Sequence, residues 1–221
     1  MRKSSVFGAA AIAALAIALT ATGAQAAQLI SNGDFASGFT NWTQFTTANG
    51  TIGVPVVTAF DVKGTGANNA AQFKVGDLNS AGLQEGGGIR QTINATAGLL
   101  TFSTDFAASI SGGINESGGI FSVLLDGVVL NSFDTGQIAG TERGTLSFAT
   151  NVTAGSHLIT LEVTRPFLTT AFSVPLQYFD NVSAIQGGAV PEPATWGLMV
   201  LGFGVAGGSL RRRARLAARA A

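Results

Sequence analysis

Residues 121–133 read FSVLLDGVVLNSF, and the dipeptide at their centre is the strongest structural signal in the chain. Asp126-Gly127 suits the two positive φ angles of a two-residue hairpin turn, and the runs on either side are rich in β-formers. The pattern predicts two antiparallel strands joined there. Moving away from this hairpin, LLTFSTDFAAS places Leu100, Phe102, Phe106 and Ala108 on one face and Thr101, Ser103, Asp105 and Ser109 on the other, as a half-buried strand does. Leu146 and Phe148 share a face in GTLSFATNV, as do Ile159, Leu161 and Val163 in HLITLEVTR. With AAQFKV, GIRQTI and QYFDNVSAI added, about nine or ten strands are expected, separated by Gly, Asn, Asp and Ser. No segment between Leu29 and Ile185 sustains a helical stripe, and no fixed-period repeat is present. The fold class is therefore all-β, a jelly-roll β-sandwich of about 8–10 strands.

The 221 residues leave room for one core of moderate size. Both ends read as processing or sorting signals. Residues 1–26 begin with Arg2 and Lys3, continue through the apolar run Val6 to Leu19, and end in Ala24-Gln25-Ala26, the order of a secretory signal peptide. The expected division is a signal peptide over 1–26, a β-sandwich over 27–189 and a sorting segment over 190–221.

Formal neutrality hides an uneven charge distribution. Between Ala27 and Ala189 there are five basic residues (Lys63, Lys74, Arg90, Arg143, Arg165) against eleven acidic ones, a net charge of −6. Nucleic acid is excluded as a partner, because it needs clustered cations on the binding face. Cysteine is absent and His157 is the single histidine, so thiol catalysis, thiolate metal sites and multi-histidine metal sites are excluded as well.

The chain closes with VPEPATWGLMVLGFGVAGGSLRRRARLAARAA. From Ala194 to Leu210 nothing is charged, and as a helix this run would extend roughly 25 Å. That is short for a bilayer span but workable, with Trp196 at one interface and the arginines on the cytoplasmic side. The segment resembles the PEP-CTERM sorting signal of Gram-negative bacteria in four ordered features. These are the triplet Pro191-Glu192-Pro193, the nearby Trp196, a Gly-rich apolar helix, and the basic cluster Arg211, Arg212 and Arg213. The resemblance implies transient insertion in the inner membrane and processing by a membrane-embedded exosortase. The body would then be released to the cell surface, outer envelope or extracellular matrix. The two prolines are expected to keep the backbone around the triplet extended and accessible.

The start of the body, LISNGDFASGFTNWTQF, is similar to the opening of galactose-binding-like and carbohydrate-binding-module sandwiches, through Asn32-Gly33-Asp34-Phe35, Gly38 and Trp42. Gln91 and Gly98 before a long strand, and YFDNVSAI around Asp180, extend the likeness. That resemblance implies a calcium ion near the first and last strands, with Asp180 as the closing-strand ligand. Ala36 stands where relatives often carry Glu, which leaves Asp34 as the substitute. Trp42 is expected in the core.

Sugar sites usually rest on an exposed ring. The candidates are Phe167 and Phe172, in a loop after Arg165-Pro166, and Tyr178, which reads equally as a sheet residue with a satisfied hydroxyl. His157 has neither a nucleophile elbow nor any other catalytic motif around it, and no catalytic residue is assigned. The Gly-rich loops Asp77–Gly88 and Ser111–Gly119 read as surface insertions or ligand loops. The expectation is an exported, non-enzymatic protein of the cell envelope or exopolysaccharide matrix, binding glycan or acting as a scaffold. A jelly-roll polysaccharide hydrolase or lyase is the alternative, and it would require a cleft with two facing carboxylates.

Overall fold

The computed structural model describes residues 26–79, 81–111, 116–166, 174–187 and 192–217. Residues 1–25 of the expected signal peptide, together with Phe167, Phe172 and Pro191, lie outside the described residues. In chain order the strands begin with β1 (Ala27–Gln28), β2 (Thr43–Thr46), β3 (Gly50–Thr51), β4 (Val56–Phe60) and β5 (Asn68–Phe73). Next come β6 (Gly76–Asp77), β7 (Glu85–Ala95), β8 (Gly98–Ser109), β9 (Glu116–Ser117) and β10 (Ile120–Leu125). The series ends with β11 (Val128–Asp134), β12 (Gln137–Ile138), β13 (Thr141–Val152), β14 (Gly155–Arg165) and β15 (Leu176–Gln186), followed by helix α1 (Glu192–Ala217). Five of these strands have only two residues, so the longer ones number ten, as the alternation predicts.

The longer strands form two antiparallel sheets. One has the order β13-β8-β15-β5-β4, with β1 also paired to β15; the other runs β11-β10-β14-β7-β2. The hairpin expected at Asp126-Gly127 joins β10 to β11, and its two central residues have φ of 51° and 82°. Asp126 has a second role there. Its Oδ1 accepts from the Leu158 amide at 2.8 Å, and its Oδ2 meets His157 Nδ1 at 2.7 Å. The other ring nitrogen of His157 lies 3.0 Å from the Thr153 carbonyl, so the histidine ties two turns together rather than facing a substrate.

Those bonds raise the His157 pKa, chiefly through Asp126, and lower that of Asp126, chiefly through His157. A raised histidine stabilises fully below its unfolded value and loses that contribution as pH rises through the folded one. The pair is partly exposed, so the loss is expected to stay under about 1 kcal/mol. Asp126→Asn keeps a favourable turn dipeptide but removes the carboxylate. In melting curves it should abolish the decline that sets in above the ordinary histidine value of about 6.5, and an unchanged decline would assign it to another group.

The core lies between the sheets, where the inward residues meet. Phe106 stacks on Phe121 with centroids 4.5 Å apart, Phe121 meets Phe179 edge-on at 5.5 Å, and Phe179 meets Phe73 at 6.3 Å. Phe35 then packs on Trp42 at 5.8 Å, and the Trp42 indole N–H donates to the Asn32 carbonyl, satisfying its polar edge inside the core. Each such side chain stabilises by about 1.5–3 kcal/mol on burial. Among the described residues none of α1 belongs to this core, which is built from the strands and their connections.

A smaller cluster of Val62, Ala70, Ala107 and Tyr178 lies on the outer face of the six-stranded sheet, beneath the loop after β4. Asp61 folds that loop by accepting the amides of Gly64 and Thr65 at 2.7 and 2.9 Å. Arg143 pins it from β13 by donating to the Asp61 carbonyl.

Two sequence-based expectations need correction. Glu85–Gly88 are not loop but the first residues of β7. A Cβ at Gly86, Gly87 or Gly88 would collide with the carbonyls of Val163, Phe45 and Leu161 respectively, so the glycines admit neighbouring strands at close range. The backbone at Glu192-Pro193 is helical rather than extended. Proline in a first turn forfeits no intrahelical bond, which removes the obstacle. Among the described residues no helix is long and apolar enough to cross a membrane.

Candidate functional site

The period-two alternation of β7 sends Ile89, Gln91 and Ile93 inward and leaves Arg90, Thr92 and Asn94 exposed. Strand register then assembles the outer face of the five-stranded sheet. One cross-strand row runs Phe45, Gly88, Glu162, Ser122, Ser132; the next runs Thr43, Arg90, Thr160, Leu124. Gly88 leaves the middle of the first row flat, with a half-buried ring on one side and a carboxyl on the other. Burial raises the Glu162 pKa, and the charge of Glu85 adds to the effect. The guanidinium of Arg90 sits 5.6 Å from the Phe45 ring centroid, which orients that ring.

The face continues over the edge of β7 into a groove of about 640 Å³. Its walls come from the segment around Gln28 and Ser31, from Asn41 and Thr43, and from Thr92 and Asn94. Gln91 fastens the first wall. Its side-chain oxygen accepts from Ser31 N at 2.7 Å, and its amide donates to the Ser31 carbonyl at 2.9 Å. A flat polar face with one ring and a hydroxyl-lined groove suits an extended polar ligand.

The residues singled out from sequence do not converge on this face. Tyr178 is 4% exposed and stacked on Phe60 at 3.8 Å, so of its two readings the ring is a packing element of the sheet and not a sugar platform. Asp34 is exposed, and its Oδ1 accepts from the Ala36 amide, closing its own turn. Asp180 is 1% exposed and adjoins Asp105 across the β8–β15 pair. Its Oδ1 accepts from Asn181 N at 2.6 Å, while Oδ2 is buried without a hydrogen-bond partner. Desolvation pushes the Asp180 pKa up to about 6 against the hydrogen bonds of Asn181 and Asn68, which lower it, and the charges of Asp105 and Asp34 add smaller rises.

Calcium takes six to eight oxygens. Among the described residues no three or more acidic or histidine side chains are grouped to hold a metal. The buried, unpartnered Asp180 Oδ2 is one oxygen that suits such an ion, and calcium also takes backbone carbonyls, so the calcium expectation at Asp34 and Asp180 stands as a proposal.

Phe45, Arg90 and Glu162 went unnoticed in the sequence. The polar phase of IRQTINA flags Arg90, but Phe45 and Glu162 join it only through the register of three strands.

The architecture defines a two-sheet antiparallel β-sandwich with one open polar face. Residues 189–213 match the PEP-CTERM protein-sorting motif, so the chain carries the sorting signal of an exported protein. No curated protein matches the sequence. Solved structures similar to it at low identity include the following three. TmCBM61 in complex with β-1,4-galactotriose is 12% identical, with 72% of this chain and 97% of that chain covered and a TM-score of 0.45. The C-terminal family 22 carbohydrate binding module of Clostridium thermocellum Xyn10B is 15% identical, with 73% and 98% covered and a TM-score of 0.42. The enzymatically active domain of bacteriophage CBA120 tailspike protein 4 is 15% identical, with 71% of this chain but only 21% of that chain covered and a TM-score of 0.45.

Proposed function

We propose that this is an exported, non-enzymatic protein that binds polysaccharide of the cell envelope or exopolysaccharide matrix through the outer face of its five-stranded sheet. In this reading residues 1–26 direct export, the C-terminal segment inserts transiently in the inner membrane, and an exosortase-type enzyme processes the chain near Pro191-Glu192-Pro193. The row Phe45, Gly88, Glu162, Ser122 carries the proposal. It sets a ring, a flat floor, a carboxyl acceptor and a hydroxyl side by side, the groups that meet the C–H face and the hydroxyls of a sugar.

The test is a polysaccharide and glycan-array assay on residues 27–189, whose strands and their connections build the core. Saturable binding is expected, weakened about tenfold in Phe45→Ala, a loss of the size that a ring contact supplies. Unaltered binding by Phe45→Ala would move the site elsewhere.

Two observations support other readings. Ser147, Ser103 and Ser183 form a row of short side chains on the outer face of the opposite sheet, which favours a scaffold that packs against other matrix components. Self-association without saturable glycan binding would select it. Glu162 and Glu85 interact electrostatically, which a hydrolase or lyase could use. Release of reducing ends, abolished in Glu162→Gln, would select that one.

A further inference from the structure

The groove beside β7 holds an unneutralised cation in a body of net charge −6. Three of the five basic residues of the body have partners elsewhere: Lys63 pairs with Asp105 at 3.7 Å, Arg143 donates to the Asp61 carbonyl, and buried Arg165 adjoins Glu116. Arg90, by contrast, is exposed and makes no ion pair or hydrogen bond among the described residues. No acidic side chain lines the groove around it.

The surroundings of Arg90 are polar and held in place. Beyond Arg90 no strand of the described residues pairs with this edge of β7, because the β2 register stops at Thr43↔Arg90. Backbone groups of residues 91–93 therefore face the groove, and Asn41, Thr43, Thr92 and Asn94 add amide and hydroxyl groups. Asn41 has a φ of 70°, a conformation that asparagine tolerates, and the Gln91–Ser31 bonds fix the opposite wall. Amides and hydroxyls match sugar hydroxyls. A forked guanidinium that stacks on a ring but makes no ion pair or hydrogen bond among the described residues matches a planar carboxylate.

We propose that this groove takes a carboxylate-bearing sugar of a polysaccharide, a uronic acid residue, with Arg90 as its anion ligand and Asn41, Thr92 and Asn94 binding its hydroxyls. The proposal rests on the glycan-binding reading above and gives it a ligand class.

The experiment compares binding of residues 27–189 to polygalacturonate and alginate, to fully methyl-esterified polygalacturonate, and to neutral galactan. The acidic polymers are expected to bind at least about tenfold more tightly than the ester, the range of a charge-assisted hydrogen bond. Raising the salt should weaken them selectively. Arg90→Gln should remove the preference for acid over ester, and Arg90→Lys should keep part of it. Both changes fall on an exposed side chain, and a melting curve checks that each variant folds. Equal affinity for acid and ester, or a preference retained in Arg90→Gln, would overturn the assignment. If galactan still binds in a Phe45-dependent way, the broader glycan reading stands while this one falls. If no polymer binds, acidic or neutral, both fall.

Discussion

Gly87→Val is expected to cost about 3–5 kcal/mol and to detach β2 from the five-stranded sheet. Gly87 has a φ of 151°, inside the region that side chains avoid, and a β-branched residue is least tolerant of it. Strain of that kind costs about 1–3 kcal/mol. The added carbon would also meet the Phe45 carbonyl and the Thr46 Cα, both backbone atoms of β2, with Ile52 next in line. Overpacking against rigid backbone adds roughly 1–3 kcal/mol. Denaturant unfolding measures the sum, and hydrogen exchange at Gln44–Thr46 reports the loosened edge. A variant as stable as the parent, with those amides still protected, would mean that β2 can shift without cost.

Asp180→Asn is expected to stabilise the protein at neutral pH. The folded pKa of Asp180 is raised from 3.8 to about 6, so the native state binds the proton more tightly than the unfolded chain. Stability is then greatest below the unfolded value, falls as pH rises from about 4 through 6, and is level above that. At 1.36 kcal/mol per unit the loss amounts to about 3 kcal/mol. Asparagine keeps the shape and an acceptor for the Asn181 amide while removing the charge, so the variant should show little of this decline. Its melting temperature at pH 7.5 should exceed the parent's by about 2–4 °C for each 1 kcal/mol recovered in a body of this size. If calcium instead raises the parent's melting temperature and the substitution abolishes that rise, the buried oxygen is a metal ligand and the proton reading fails.

The sandwich was legible because its signals are local. Asp126-Gly127 marks a hairpin from two residues, and the alternation through Phe102 and Phe106, or Ile159 and Leu161, assigns an inner face within one strand. Gly86–Gly88 misled for a physical reason, since glycine carries no side chain whose alternation would mark a strand. Their role is visible only against the carbonyls of β2 and β14. Tyr178 stayed open between two readings because the loop that covers it is folded by Asp61, more than a hundred residues earlier in the chain. The candidate face was the least legible part, because Phe45, Arg90 and Glu162 belong to three strands and meet only through register.

The place of β15 in its sheet bears on how the molecule responds to a pull. It is central, between β8 and β5, and is paired with β8 from Leu176 to Gln186, whereas the two-residue β1 and the Leu29 amide that follows it hold the other edge over a much shorter length. Tension entering after Gln186 and resisted at the opposite sheet runs along the strand axis, so many rungs of the β8 ladder share the load in shear. Tension between Ala27 and Gln186 falls on directly opposed partners and opens them one pair at a time. The sandwich should be mechanically strong when held by its C-terminal end and easily peeled at its N-terminal one.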